Sequence, residues 1–588
     1  MAEDFNTWNL DDLFNGLTES EILERVFSFK KSILDKKDSL KEDNVSAELV
    51  LEIIKLSESL EFEFSKLVAY YSLRSSVDVE DEKASAKLDY YSQLAAELDN
   101  DTMFFDLWFI GLSDDKVKSY IQSPVLSEYK QVLKNLIKAK PHTRSEEVEQ
   151  ILNLKNVTGK GAFAKIYEVF TSSFRFELFD KKDLTQEEIT SKYSDASPEV
   201  REAAYNSVLS VFKDNSTTLS ELYKNVVLSW VNENMKIRNH SNFISPRNLA
   251  NNLNDDVVKI MISVIRENVH IFQEYFKLKK DFLSKKGASH SFSRFHIYAP
   301  YEKGLKDYSF EDSKDICLST YKDFDEDFYL FAKKIFDENH IHSHPRKGKR
   351  SGAFCYGPNN EVTPYILLNH TNKTRDLFTV MHELGHGIHD LFTFQKPFLV
   401  HHPSLPLAET ASIFGELILS RKLLKTDDED ERASLLLHSL DNYYASIIRQ
   451  TYFVVFEELA HKKISEGATK KELDDVYFNL LKEQFGNMEI PDFFKHEWNY
   501  IPHIHHTPFY CYAYSWGNLL VLALYAEYEK NPGFKEKIKD ILKAGASDDT
   551  LKILKDAGIN PESKEFWERG FDIIKKELEE FRRIANAP

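Results

Sequence analysis

At 588 residues the chain is too long for one small core, and two or more lobes are expected. Its 42% hydrophobic and 29% charged content is that of a soluble globular protein. A net charge of −19, from 76 Lys and Arg against 95 Asp and Glu, argues against a nucleic-acid surface as its main business.

The start, MAEDFNTWNLDDLF, is acidic and lacks the basic and apolar regions of a signal peptide. No stretch approaches the ~20 apolar residues of a membrane span. Cys317, Cys355 and Cys511 are too few, and odd in number, for a disulfide framework, which fits a reducing compartment. The expectation is a cytoplasmic protein without membrane or nucleic-acid partners.

Residues 1–190 read as an N-terminal helical domain. Thr18 and Glu21 form a capping box ahead of Ile22, Val26, Phe29 and Ile33 at helical spacing. Amphipathic helices are expected over Ser46–Ser76, Asp81–Leu98 and Leu126–Ala139, with Ser145 capping the next. Between Val157 and Phe179, β-branched and aromatic residues predict a short hairpin. Ser197-Pro198 opens a new helix, and a second domain is placed over 191–588. TGKG near 158 and PRKGKRSG near 345 both miss the phosphate-loop pattern, so nucleotide binding is unsupported.

Helices are expected from 198 to about 290. Short strands are predicted at Phe292–Ala299, Gly352–Tyr356 and Pro364–Leu368, as a small sheet beside the helix that follows. The basic run His344–Arg350 between them is either a solvated turn or the rim of a site.

That following helix, Asn372–Phe392, carries the strongest signal in the chain. Leu377, Val380, Met381, Leu384 and Ile388 mark a buried face. His382 and His386 are i and i+4, so both imidazoles leave the same side, and Glu383 completes H-E-x-x-H. In this arrangement two neutral imidazoles hold Zn²⁺ while the glutamate acts on a water. Gly385 and Gly387 each cost roughly 1 kcal/mol in a helix interior, which implies a close neighbour there. His389 and Phe392 stand where a metzincin needs Gly and His, which removes that class. Leu405–Ser420 reads as an apolar helix interrupted by Glu409 and Glu416. Glu409 is taken as the third ligand, and Glu416, two turns on, as a group that orients a ligating imidazole.

Tyr500–Asn518 then gathers His503, His505 and His506 with Tyr510, Tyr512 and Tyr514. Any one of these is more often core than catalytic. Together they offer the hydroxyl and N–H donors that a developing oxyanion needs.

These segments resemble the thimet oligopeptidase and oligoendopeptidase F family of zinc metallopeptidases, the bacterial oligoendopeptidase F branch above all. The resemblance rests on HELGHGIH, LAETASIFGE and IPHIHHTPFYCYAY, supported by WNLDDLF, RKGKRSGAF and TSSFRFE. It implies a mainly α, zincin-like fold, with two helical lobes around a deep channel that admits short unfolded peptides. It also implies one Zn²⁺ on His382, His386 and Glu409, with Glu383 as general base. Gly352 and Ala353 then resemble the strand positions that pair with substrate, and His503 and Tyr512 those that polarise its carbonyl, with Tyr510 nearby. His505 stands where a tyrosine is common in the branch, and so competes with His503.

The expected function is internal cleavage of short oligopeptides by a monomer. An H-E-x-x-H carboxypeptidase or dipeptidase is the enzymatic alternative, and a non-catalytic peptide binder the alternative of another class.

Overall fold

A computed structural model describes residues 7–287, 292–301 and 303–586. Helices dominate, with one two-stranded and one three-stranded sheet among the described residues. The chain forms two compact units, each built from three segments: Met1–Gln150, Lys306–Lys422 and Gly533–Ile559 in the first, and Ile151–Leu305, Leu423–Pro532 and Asn560–Pro588 in the second. The boundary expected near 190 therefore falls inside the second unit. Composition along the chain does not reveal this, because the N-terminal helices complete a core with segments about 300 residues later.

In the first unit the Thr18–Glu21 capping box is complete and opens the helix Glu19–Leu34. Ser46 and Asp81 cap the helices Ala47–Val77 and Glu82–Thr102 by accepting from Leu49 N–H and Ala84 N–H. Ile22, Val26 and Ile33 bury against Ile53, Leu60 and Leu67 of the second helix. Each such side chain contributes roughly 1.5–3 kcal/mol on full burial, which outweighs differences in helix propensity.

This helical layer meets a sheet from the middle of the chain. The two-stranded sheet of the second unit comes first in sequence, as β1 (Phe176–Leu178) and β2 (Lys181–Leu184). In the first unit β3 (Ile341–His342), β4 (Phe354–Tyr356) and β5 (Tyr365–Leu367) follow in the order β3-β5-β4. β5 runs parallel to β3 and antiparallel to β4, and its three residues are buried. Trp8 stands edge-on to Tyr365 at 5.8 Å, and the Tyr365 hydroxyl donates to Asn9 O at 3.0 Å. The WNLDDLF run thus covers the sheet. β4 and β5 occupy the runs expected as strands, whereas two-residue β3 is too short to show a period.

Three expectations are corrected. The hairpin lies over 176–184, and Lys160–Ser172 is a helix whose Tyr167 and Thr171 are buried. Phe292–Ala299 is no strand but holds a 3₁₀ turn, Arg294–His296. Its residues from Ser293 to Ile297 are all buried, so the segment has no solvent face to alternate with. Arg294, 1% exposed, is matched by Glu497 at 2.9 Å. Finally, the helix expected over Leu405–Ser420 is broken at Glu409, into Leu405–Ala408 and Thr410–Leu423.

Candidate metal centre and catalytic site

The helix Thr374–Thr393 carries His382, Glu383 and His386. Its crossing with Thr410–Leu423 depends on Gly385. A Cβ there would lie 2.4 Å from Ser412 Cα and 2.7 Å from Ala411 O, so only glycine lets the backbones meet. That contact, one turn after Glu409, brings the Glu409 carboxylate to the imidazoles. Glu409 sits at φ −83°, ψ 0° between the two helices, and the Ser412 hydroxyl donates to its Oε2 at 2.9 Å.

Glu409 Oε2 lies 3.4 Å from Nε2 of both His382 and His386. Donor atoms of the three residues all fall within 4.8 Å of one another. A tetrahedral Zn²⁺ with ligands at about 2.0–2.1 Å separates them by roughly 3.3 Å, so the residues fit that ion. Glu416 Oε1 meets His382 Nδ1 at 2.5 Å, which fixes the tautomer that leaves Nε2 as the ligating atom. Burial opposes protonation of His382, but the Glu416 carboxylate outweighs it and raises the ring to about 10 without a metal. Burial works against the Glu409 carboxylate too, yet its hydrogen bond and charge contact with His386 hold it down at about 2. Glu383 is 6% exposed and supplies none of these close contacts; burial raises its carboxyl above the ordinary range.

A cleft of about 450 Å³ opens over these groups. One wall is β4, which among the described residues pairs only with β5 and is therefore an edge strand of the kind that can accept an added strand. Ala353 lines the cleft just before β4. Gly352 has φ +77°, and Asn369 donates to its carbonyl at 2.8 Å, which turns the chain into the strand. The basic run is fastened rather than loose. Lys349 Nζ donates to the carbonyls of His342, His344 and Leu368, and Val79 N–H donates to Gly348 O at 2.7 Å.

The histidine and tyrosine cluster belongs to the second unit. It comprises a short helix, Pro502–His506, a turn through Phe509 at φ +60°, and the helix Tyr512–Lys530. Phe509 N–H donates to Glu457 Oε1 at 2.8 Å, and Arg247 donates to Pro508 O, so the turn is pinned from beneath. His503 Nε2 is 3.4 Å from the Tyr514 hydroxyl, and the Tyr510 and Tyr514 rings are 5.4 Å apart; all three are partly exposed. Tyr512 and His505 are placed differently. Tyr512 is fully enclosed, and its hydroxyl accepts from Asn251 at 2.7 Å. His505 is fully enclosed, stacked on Tyr167 at 3.9 Å, and burial pushes its pKa down to about 3.

An H-E-x-x-H helix with a glutamate from the break between two later helices, beside an edge strand, is the arrangement of a metallopeptidase centre. Residues 191–573 match the family described as peptidase family M3, and residues 108–176 match that described as oligopeptidase F. The chain belongs to peptidase family M3 and is a metalloendopeptidase. It is 29% identical to an oligoendopeptidase F homolog of Borreliella burgdorferi, over 88% of each chain. It is 27% identical to the oligopeptidase PepF of Bacillus subtilis, over 99% of this chain and 87% of that one. The fold matches a solved oligoendopeptidase-F from Enterococcus faecium with a TM-score of 0.73 at 22% identity, over 97% of this chain and 99% of that one. A peptidase structure from Chlamydophila abortus matches with a TM-score of 0.83 at 22% identity, over 98% of each. The mainly helical fold and family membership thus follow the expectation from sequence. No described helix is long and apolar enough to cross a membrane.

Proposed function

We propose that the chain is a zinc-dependent oligoendopeptidase that hydrolyses internal bonds of short unfolded peptides as a cytoplasmic monomer. The observation that carries this is the Glu409 oxygen 3.4 Å from both Nε2 atoms, with Glu383 beside them and outside the ligand set. His382, His386 and Glu409 would hold the ion, which supplies Lewis acidity and lowers the pKa of a water to about 7.

The protein's own groups do the rest. β4 binds the extended peptide by backbone pairing and orients the scissile carbonyl. Glu383 takes a proton from the attacking water as its oxygen bonds to the carbonyl carbon. The C–N bond then breaks, and Glu383 returns that proton to the leaving nitrogen. Burial of Glu383 raises its basicity toward this shuttle. Of the oxyanion donors expected from the sequence, His503 keeps a partly exposed ring with Tyr514 beside it, whereas the Tyr512 hydroxyl is enclosed with Asn251.

The test is cleavage of a peptide of about ten residues, acetylated and amidated, before and after chelation and zinc add-back. Internal cleavage that chelation stops and zinc restores is the expected result. Cleavage confined to a free-ended twin of the peptide would overturn the endopeptidase reading.

A further inference from the structure

We propose that Asp390 is a specificity residue, whose carboxylate forms a subsite in the cleft for a cationic side chain of the substrate close to the scissile bond. This deepens the reading above and presupposes peptide cleavage. Asp390 follows His386 as His386 follows His382, so one helix face carries ligand, ligand and carboxylate in successive turns, each about 6 Å along the axis. All three residues line the same cleft.

The fold makes room for this carboxylate. At Gly357, just past β4, a Cβ would lie 2.1 Å from Asp390 Oδ2, so any other residue there would displace it. Its ion-pair partner among the described residues is His402, at 3.8 Å and with a side chain 52% exposed; no lysine or arginine lies within that range. The Asp390 side chain itself is only 15% exposed. A carboxylate withdrawn this far from water gains most from a charged donor that brings its own hydrogen bonds. An extended peptide paired to β4 presents every second side chain on one face, roughly 7 Å apart. A peptide that runs along this helix face would cover the rise from the ligand turn to Asp390 with about two residues, so the cation belongs within two residues of the cut bond. Lysine and arginine have the reach and the chemistry for it.

The experiment uses zinc-loaded protein and terminally capped peptides that differ at one position, from two residues before the cut to two after it. Lysine, norleucine and glutamate are compared at each position. The reading is the ratio of kcat/KM for lysine over norleucine within one enzyme preparation, which cancels differences in active fraction. At one position the wild-type ratio is expected to be roughly tenfold or more, to fall towards 1 in Asp390→Asn, and to invert in favour of glutamate in Asp390→Lys. Should Asp390→Asn fail to fold, the wild-type ratio is measured at low and high salt; a ratio that does not fall with salt counts against the proposal. Equal cleavage of all three peptides by wild type overturns the subsite while leaving the peptidase reading intact. A ratio retained in Asp390→Asn also overturns it. No cleavage of any peptide overturns both. An uncapped norleucine peptide forms the last arm. A preference for its free amine that Asp390→Asn removes overturns the side-chain subsite and gives the carboxylate to the peptide's amino terminus.

Discussion

Glu416 Oε1 meets Nδ1 of His382 at 2.5 Å, while Glu409 Oε2 stands 3.4 Å from Nε2 of the same ring. One imidazole is thus held between two carboxylates, one that orients it and one that shares its ligand position. Replacing Glu416 with glutamine leaves the ligand set intact but removes the charge that fixes the tautomer. Zinc affinity is expected to fall roughly 10–100-fold, read by competition with a chromogenic chelator.

Glu383→Gln is expected to lower kcat by about 10²–10⁴-fold, the span of a lost general acid–base group. Zinc content by metal analysis should stay near one per chain, because Glu383 lies outside the ligand set. Substantial turnover in this variant would rule out the proton shuttle assigned to it.

The crossing at Gly385 predicts a coupled loss. A methyl group there meets the backbone of Ser412 at 2.4 Å, and no side chain can move aside to relieve it. Gly385→Ala is expected to cost about 1–3 kcal/mol. Calorimetry should show a lower Tm, and zinc affinity should fall with it, because Glu409 reaches the histidines through that contact.

Two tyrosines two residues apart should behave differently. Tyr514→Phe removes a partly exposed hydroxyl near His503 and is expected to reduce kcat roughly 10²-fold with little change in Tm. Tyr512→Phe removes the enclosed hydroxyl that accepts from the Asn251 amide and is expected to lower stability by about 0.5–1.5 kcal/mol. Kinetics beside thermal melts for both variants separate the roles. The opposite pattern would return the donor role to Tyr512.

Glu457 gives a pH-dependent signature. Fully buried, it is raised to about 8 by its burial, against about 4.5 in the unfolded chain. Between those values the unfolded state gives up this proton and the folded state keeps it. The contribution to stability is therefore present in acid and is lost as pH rises from about 4.5 to 8. Glu457→Gln removes the titration, so its Tm relative to wild type should rise between pH 5.5 and pH 8. A difference that is flat across this range would show that Glu457 does not titrate within it.

Local physics made the central parts legible from the chain alone. The i, i+4 histidines, the intervening glutamate, the apolar face beneath them and the capping box at Thr18 are all features of consecutive residues. The glycine at 385 announced a close neighbour without naming it. What consecutive residues do not encode is what distant segments bring. Ser412 as that neighbour, the break of the helix at Glu409, Trp8 over Tyr365 and Gly357 against Asp390 exist only once segments far apart in sequence are packed together. The same applies to burial. Tyr512 and Tyr514 are the same residue type in the same stretch, and packing of the second unit alone encloses one and leaves the other accessible. Composition could name the chemistry, because the ligating groups are set by residue type. Which of several equal donors does the work depends on which remains solvated, and that is a property of the tertiary fold.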